Sequence, residues 1–356
     1  MSKIRIKDIA LKAGVSVGTV DRVLHDRSGV SQASRKRVEE ILKQMDYQPN
    51  MYASALASNK RYLFACLLPQ HEEGEYWTEV ERGIHEALAS YTDFNVWASI
   101  SYYDPYSYES FSQAAAAILV QEPDGVLFAP TTPQHTRPFT QELENRDTPY
   151  IYIDSDIPDT AALSFYGQNS IQSGYFSARM LMLIAGNQPE EIVIFRKINE
   201  GIVGSNQQEH REVGFRRYMA EHHPACRILE LNLHAKAGEE DHRMLDKFFA
   251  RHPHVRTGIT FNSKAYIVGE YLEQKAGTPR FRDFRFMGYD LLERNIACLR
   301  RGSIFFLIAQ QPALQGMRGI KSLCDSLILK RDVAREHYMP IDLLTKENLE
   351  FYETER

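Results

Sequence analysis

No apolar run in this sequence is long enough to cross a membrane. The longest, such as LFACLL at 63–68, are strand-sized, against the roughly 20 residues a spanning helix needs. The N-terminal stretch MSKIRIKDIALKAG has no continuous apolar segment and no small-residue cleavage site, so it lacks the makings of a secretion signal and the expected location is cytoplasmic. Cysteine is scarce and dispersed. Cys66, Cys226, Cys298 and Cys324 form no C-x-x-C pair, which excludes a zinc site or a disulfide framework and leaves reduced, mostly buried thiols as the expectation. Histidines at 71, 85, 135, 210, 222 and 223 are scattered. No Ser/His/Asp set, phosphate-binding glycine loop or H-E-x-x-H is present, so no catalytic residue, metal or cofactor is expected. Low-complexity tracts and repeats of solenoid length are also missing.

The chain does have length, core and an uneven charge. At 356 residues, 43% hydrophobic and 25% charged, it fits two or three globular domains. The net charge of −5 hides an asymmetry: residues 1–60 carry 11 Lys and Arg against 6 Asp and Glu, whereas the rest carries 31 against 41. A small basic head on an acidic body suits a nucleic-acid module joined to something else.

Two patterns divide the chain. In the first 46 residues, Ile9, Ala10, Val15, Val20, Val23, Val38, Ile41 and Leu42 recur at three-to-four spacing, which predicts three short helices around a miniature core. The third is expected to begin at Ser34 and to end at Tyr47-Gln-Pro49, because helix is disfavoured before proline. NMYASALASNK, at 50–60, has linker composition. From Tyr62 short apolar runs alternate with amphipathic stretches. Strands are predicted at 62–68, 94–100, 125–130, 150–154, 191–195, 226–231, 257–261, 284–289 and 304–309. Helices between them include 78–90, 107–121, 168–185, 209–223 and 264–276. That alternation predicts parallel sheets covered by helices, and nine or more strands are too many for one typical sheet. Two α/β lobes follow.

Within IKDIALKAGVSVGTVDRVL, at 6–24, Gly14 can close one helix in the left-handed conformation. Ser16 can cap the next. The result is two helices joined by a tight turn, with Val17, Gly18, Asp21 and Arg22 facing outward. A small bundle with no DNA role can share this pattern. The run continues through GVS, R-x-R-V and Y-x-PN, and over residues 4–60 it closely resembles the headpiece of the lactose-repressor (LacI/GalR) family.

That resemblance implies a sequence-specific, DNA-binding transcription regulator, with repression as the expected outcome and a palindromic double-stranded operator as partner. Val17, Gly18 and Arg22 would approach base edges in the major groove, where the Arg22 fork fits guanine O6 and N7. Ser16, Thr19 and Ser31 would hold phosphates. Residues 50–58 resemble the family's hinge helix, with Ala53 allowing close approach of two such helices and Leu56 as a minor-groove wedge. Asp21 departs from the usual serine and has no assigned role. Met51 stands where an arginine is common.

In open α/β sheets ligands bind beyond the carboxyl ends of the strands. The residues there are polar: Asp154 after YIYI, Asn262 after GITF, Asp290 after FRFMGY and Gln310 after IFFLIA. Arg211 opens REVGFRRYM, and Tyr76 and Trp77 start the helix after the first strand. Together they suit a sugar-like effector, with polar groups for vicinal hydroxyls and an aromatic face for C–H bonds. Taken singly, each Asp or Asn can be only a turn or cap. The body at 62–356 resembles the type I periplasmic-binding-protein fold this family carries, in R-x-x-GF at 211–215, FN at 261–262, GYD at 288–290 and IAQQP at 308–312. The expected fold is therefore a two-lobed α/β domain preceded by an all-α helix-turn-helix headpiece (1–49) and a linker (50–61). Crossings near 166, 311 and 336 would put 62–166 and 311–336 in one lobe and 167–310 and 337–356 in the other, with two chains forming a homodimer. Departures from the family pattern are Ser155, YGQN at 166–169 and Lys264, which would favour an acidic sugar if it faced the cleft. The competing readings are a periplasmic-type sugar receptor and a carbohydrate-active enzyme built on Asp154 and Asp290.

Overall fold

The computed structural model describes residues 5–24, 27–45, 60–186, 189–199, 201–234 and 238–353. The chain divides into two units, 1–58 and 59–356.

In the first unit, α1 (Ile6–Ala13), α2 (Val17–Leu24) and α3 (Gln32–Gln44) enclose a core of Ile9, Ala10, Ala13, Val20, Val23 and Val38. Gly14 ends α1 in the left-handed conformation, at φ 65°, where a Cβ would be strained. The Ser16 hydroxyl accepts from the Thr19 backbone N–H at 3.1 Å and starts α2. The third helix starts earlier than expected. Ser31 is its N-cap, accepting from the Ser34 backbone N–H at 3.2 Å, so Ser34 lies in the first turn. A hydroxyl placed just before the helix can reach the free N–H three residues on, which one inside the first turn cannot do. The expected end at Tyr47–Pro49 falls outside the described residues.

The second unit holds two six-stranded sheets with matching strand order, β11-β5-β4-β3-β1-β2 and β12-β10-β9-β8-β6-β7. The first sheet consists of β1 (Tyr62–Pro69), β2 (Val96–Tyr103), β3 (Gly125–Phe128), β4 (Tyr150–Ile153), β5 (Ser164–Gly167) and β11 (Glu336–Tyr338). The second consists of β6 (Glu191–Lys197), β7 (Arg227–Leu233), β8 (Thr257–Thr260), β9 (Arg285–Tyr289), β10 (Phe306–Ala309) and β12 (Asp342–Leu344). All pairings are parallel except that of β10 with β12. The helices needed below are α4 (Tyr76–Ser90), α5 (Tyr108–Val120), α6 (Pro133–Asn145), α7 (Ser170–Ala185), α8 (Asn206–His222) and, further along, α9 (Glu239–Arg251), α10 (Tyr266–Gln274), α11 (Pro279–Arg282), α12 (Glu293–Arg301), α13 (Pro312–Leu327) and α14 (Leu349–Glu353). Strands β3, β4 and β8 are buried along their whole length, as sheets covered on both faces require.

Between the sheets the chain passes three times: after β5, after β10 and after β11. One side chain ties these passages together. The Gln168 amide nitrogen donates to the Ala309 carbonyl at 2.8 Å and to the Pro340 carbonyl at 2.6 Å. Gln168 is 2% exposed, so both bonds form away from water, where losing either leaves a buried polar group unpaired.

In each lobe the helix after the first strand crosses the crossover helix at backbone contact. In the first lobe these are α4 and α13; in the second, α8 and α7. A Cβ on Gly83 would lie 1.8 Å from the Ala313 carbonyl oxygen, and one on Gly214 would lie 1.8 Å from that of Ile171. Only glycine allows such an approach. We therefore expect Gly214→Ala to destabilise the second unit by about 1–3 kcal/mol, the usual range for overpacking. Calorimetry should show a lowered melting temperature, whereas Gly277→Ala, which meets nothing within 4 Å, should leave it unchanged.

Candidate functional site

The carboxyl ends of the two sheets face one another across a cavity of ≈ 120 Å³. All seven sequence-predicted effector residues, Tyr76, Trp77, Asp154, Arg211, Asn262, Asp290 and Gln310, line it. Asp154 and Asp290 occupy equivalent places in the two lobes. Each follows the third strand of its sheet, β4 or β9, each has φ near +70°, and each donates its backbone N–H at 2.9 Å to a carbonyl of the neighbouring strand (Tyr166 and Ile308). A left-handed residue other than glycine carries a backbone cost, and aspartate bears it better than most. Here it turns each carboxylate into the cleft.

Arg211, on the first turns of α8, is 2% exposed. Its Nη1 donates to the Phe261 carbonyl at 2.9 Å, and its Nη2 donates to Gln310 Oε1 at 2.5 Å and to Gln207. The guanidinium carbon lies 4.1 Å from the centre of the Tyr289 ring. The chain continues outward from there: Gln310 Nε2 donates to Asp290 Oδ1 at 2.5 Å. Arg211 Nε is buried with no partner among the described residues, a donor that a polar ligand could satisfy.

On the opposite lobe, the Tyr76 hydroxyl accepts from Gln315 Nε2 at 3.1 Å and donates to the Asp154 carboxyl. Trp77 meets the Tyr76 ring edge-on, at 5.1 Å between centroids. Burial pushes the Asp154 carboxyl up to about 7, with the Asp290 charge adding to the rise and Arg211 and Tyr76 opposing it. Asn262 is braced locally instead: its amide donates to Thr260 Oγ1 at 2.6 Å and its carbonyl accepts from the Lys264 backbone at 2.9 Å. It lines the cavity chiefly as the turn that presents Lys264.

Several lining residues carried no expectation. Lys197, at the end of β6, sits where the strand-end rule would have found it had the strand been read two residues longer. Burial first, then the Lys264 charge, push its ammonium down to about 8. Glu75 immediately precedes α4 and pairs with Lys264 across the cleft at 2.5 Å. Although burial works to raise it, the Lys264 hydrogen bond and charge hold the Glu75 carboxyl below its ordinary value. Gln207 is one helical turn before Arg211 and also donates to the Asp154 carbonyl. Asn206 Nδ2 reaches the Thr131 carbonyl at 2.6 Å. These last three contacts join opposite lobes.

In the headpiece, Val17, Gly18 and Arg22 are exposed on α2. The Ser16 and Thr19 hydroxyls lie 2.9 Å apart, and Ser31 is spent on capping α3. Asp21, which had no assigned role, pairs with Arg27 at 3.3 Å. Ala53 and Leu56 lie outside the described residues.

A paired-sheet body with ligand-facing strand ends defines the periplasmic-binding-protein class of fold. Residues 64–330 match the family described as "Periplasmic binding protein domain", and residues 5–50 match "Bacterial regulatory proteins, lacI family". A crystal structure of a protein from Bacteroides fragilis, assigned as a LacI transcriptional regulator, superposes with a TM-score of 0.79. It is 62% identical and covers 82% of this chain and 100% of its own. The chain belongs to the LacI family of bacterial regulators, with a periplasmic-binding-protein-like body. HTH-type transcriptional regulator DegA of Bacillus subtilis is 24% identical over 220 residues, 62% of this chain and 61% of that protein. The match thus spans about three fifths of that relative's length. GanP, a glucose-galactose binding protein from Geobacillus stearothermophilus, shares the fold at 19% identity and a TM-score of 0.69, covering 82% of this chain and 99% of its own. Among the described residues no helix is long and apolar enough to cross a membrane.

The Asp154 carboxyl generates a pH signature. Its folded value, raised to about 7, lies above the ordinary unfolded value, so the folded state binds the extra proton. The associated stability is complete below pH about 4 and is lost as pH rises through about 7. Asp154→Asn removes the titration. The variant's melting temperature should gain on the wild type between pH 5 and pH 8; a constant difference across that range would show that Asp154 is ionised throughout.

Proposed function

We propose that the chain is a transcription regulator that binds operator DNA through α1 and α2 and is controlled by a sugar-like effector held between the two sheets. The observation that carries this is the pairing, in one chain, of a helix-turn-helix with a cleft where two carboxylates from opposite lobes flank a buried arginine that has a spare donor. Vicinal hydroxyls would donate to Asp154 and Asp290 and accept from Arg211 Nε. Trp77 and Tyr76 would cover the apolar face of the ring. Val17, Gly18 and Arg22 would face base edges, with Ser16, Thr19 and Ser31, together with backbone amides, near phosphates. Ala53 and Leu56 would belong to the hinge segment that enters the minor groove.

Regulation follows from linkage. An effector that touches both lobes favours one lobe arrangement, and an operator that requires a particular arrangement of two chains is coupled to it by a reciprocal free energy. We place the acting species as a homodimer in the cytoplasm, reading a palindrome with two headpieces. The relatives are regulators rather than enzymes, and we assign no catalytic step to the cleft. Nitrophenyl glycosides should release no nitrophenol.

Two experiments test this reading. In a thermal-shift screen of sugars, sugar acids and nucleosides, a true effector raises the melting temperature by mass action. The shift should vanish in both Arg211→Ala and Asp290→Ala; a shift that survives both puts the ligand elsewhere. On operator fragments selected from random DNA, Arg22→Ala should cost about 1–3 kcal/mol and relax one base position. A uniform loss at every position would reduce Arg22 to a phosphate contact.

A further inference from the structure

The cleft is built for more than neutral hydroxyls. One end is cationic. Lys197 from β6 and Lys264 from the turn after β8 both line the cavity beside Tyr106, Gly204 and Gln208, close enough for the Lys264 charge to act on Lys197. Their situations differ. Lys264 is neutralised across the cleft by Glu75, at 2.5 Å. The Lys197 ammonium has no ion pair or hydrogen bond among the described residues; it lies over the face of the Tyr106 ring, 5.4 Å from Nζ to centroid, and Glu75 acts on it only through its charge. An ammonium turned into a partly dry cavity beside a second one is costly unless something negative enters with the ligand. The first turn of α8, at Asn206, Gln207 and Gln208, lines the same cavity and adds the partial positive charge of a helix start.

The other end has the opposite character. Asp290 is joined to Arg211 through Gln310, and Asp154 accepts from Tyr76; together these groups accept and donate in the pattern that hydroxyl groups need. The two ends lie in one cavity of ≈ 120 Å³, so a single small molecule can contact both. Glu75 is hydrogen-bonded to Lys264 and acts on Lys197 only through its charge, so two ammonium groups share one carboxylate and this end of the cavity keeps an excess of positive charge.

We propose that the effector is an anionic, polyhydroxylated molecule whose negative group is held by Lys197 and Lys264 while its hydroxyls engage Asp154, Arg211 and Asp290. This rests on the reading of the cleft as the effector site. A carboxylate and a phosphate share the required charge and acceptor oxygens, so a sugar acid and a sugar phosphate are the two sources to separate. A neutral sugar of the same size leaves Lys197 unpaired and binds less tightly.

The test is isothermal titration of the full chain with matched sets: a neutral hexose or pentose, its uronic or aldonic acid and its phosphate ester. Lys197→Met removes the charge and keeps most of the side chain's length; Lys264→Gln removes the charge at the second position. Melting temperatures of the unliganded variants establish that they fold. We expect at least one anion to bind 10-fold or more tightly than its neutral counterpart, and Lys197→Met to erase that preference by weakening the anion. Whether the acid or the phosphate shows the preference names the source. A neutral sugar binding as tightly as its anions, or an anion preference that survives both substitutions, overturns the proposal while leaving the cleft as the effector site. Binding that ignores Asp290→Ala and Arg211→Ala, or no binding by any set, overturns the cleft reading and this inference with it.

Discussion

A guanidinium removed from water must have its donors answered, and much of the second unit is arranged to answer those of Arg211. Partners come from the loop after β8, from the end of β10 and from the preceding turn of its own helix. The Tyr289 ring beneath it belongs to β9. None of these groups is near Arg211 in sequence except Gln207. They converge because parallel strands of one sheet all end on the same side. The same geometry brings Asp290 into the network through Gln310, and Asp154 faces it from the other lobe. Leaving one donor of a buried cation unpaired is costly, and Arg211 lines the cavity, unlike Tyr152 and Asp241, which also hold a buried polar atom without a partner among the described residues. That is why Arg211 Nε, rather than the cavity's shape, points most clearly to a polar ligand.

The two lobes repeat one solution. Matching strand order, glycine-mediated crossings of the first helix on the crossover helix, and aspartates at φ near +70° after β4 and β9 recur in each half. The symmetry brings two carboxylates to one cleft. The asymmetries then define what the cleft does: Arg211, Lys197 and Lys264 all come from the second lobe, while Tyr76, Trp77 and Glu75 come from the first. The cleft is therefore lined from both lobes, and Gln168 keeps the three passages between them in one bonded group.

Much of this was legible in the sequence because parallel strands announce themselves as short continuous apolar runs. Nine strands were expected within a few residues of where they lie. The three without expectation are β5, β11 and β12. SFYG is no shorter than the expected GVLF and YIYI but holds a serine and a glycine among its four residues, and EHY and DLL are three-residue strands at the sheet edges, so no continuous apolar run marks them. Strand ends pointed to the aspartates and Gln310 because a polar residue after an apolar run is conspicuous. The rule missed Lys197 because EIVIFRK continues as strand beyond its apolar part. Gln168, read only as a departure from the family's usual pattern, could not be understood without the two carbonyls that its amide reaches, 141 and 172 residues away in sequence. In the headpiece, the third helix starts before Ser34 because the Ser31 hydroxyl takes one backbone N–H, which periodicity does not resolve.

The central claim is that one polar cleft, centred on Arg211 and flanked by Asp154 and Asp290, takes the molecule this regulator senses. The most direct measurement is a crystal structure of the chain with its tightest-binding small molecule. The account predicts a ligand oxygen within hydrogen-bond distance of Arg211 Nε and hydroxyls on both aspartates. A ligand seated outside this cleft, with Arg211 Nε still unpartnered, would contradict it.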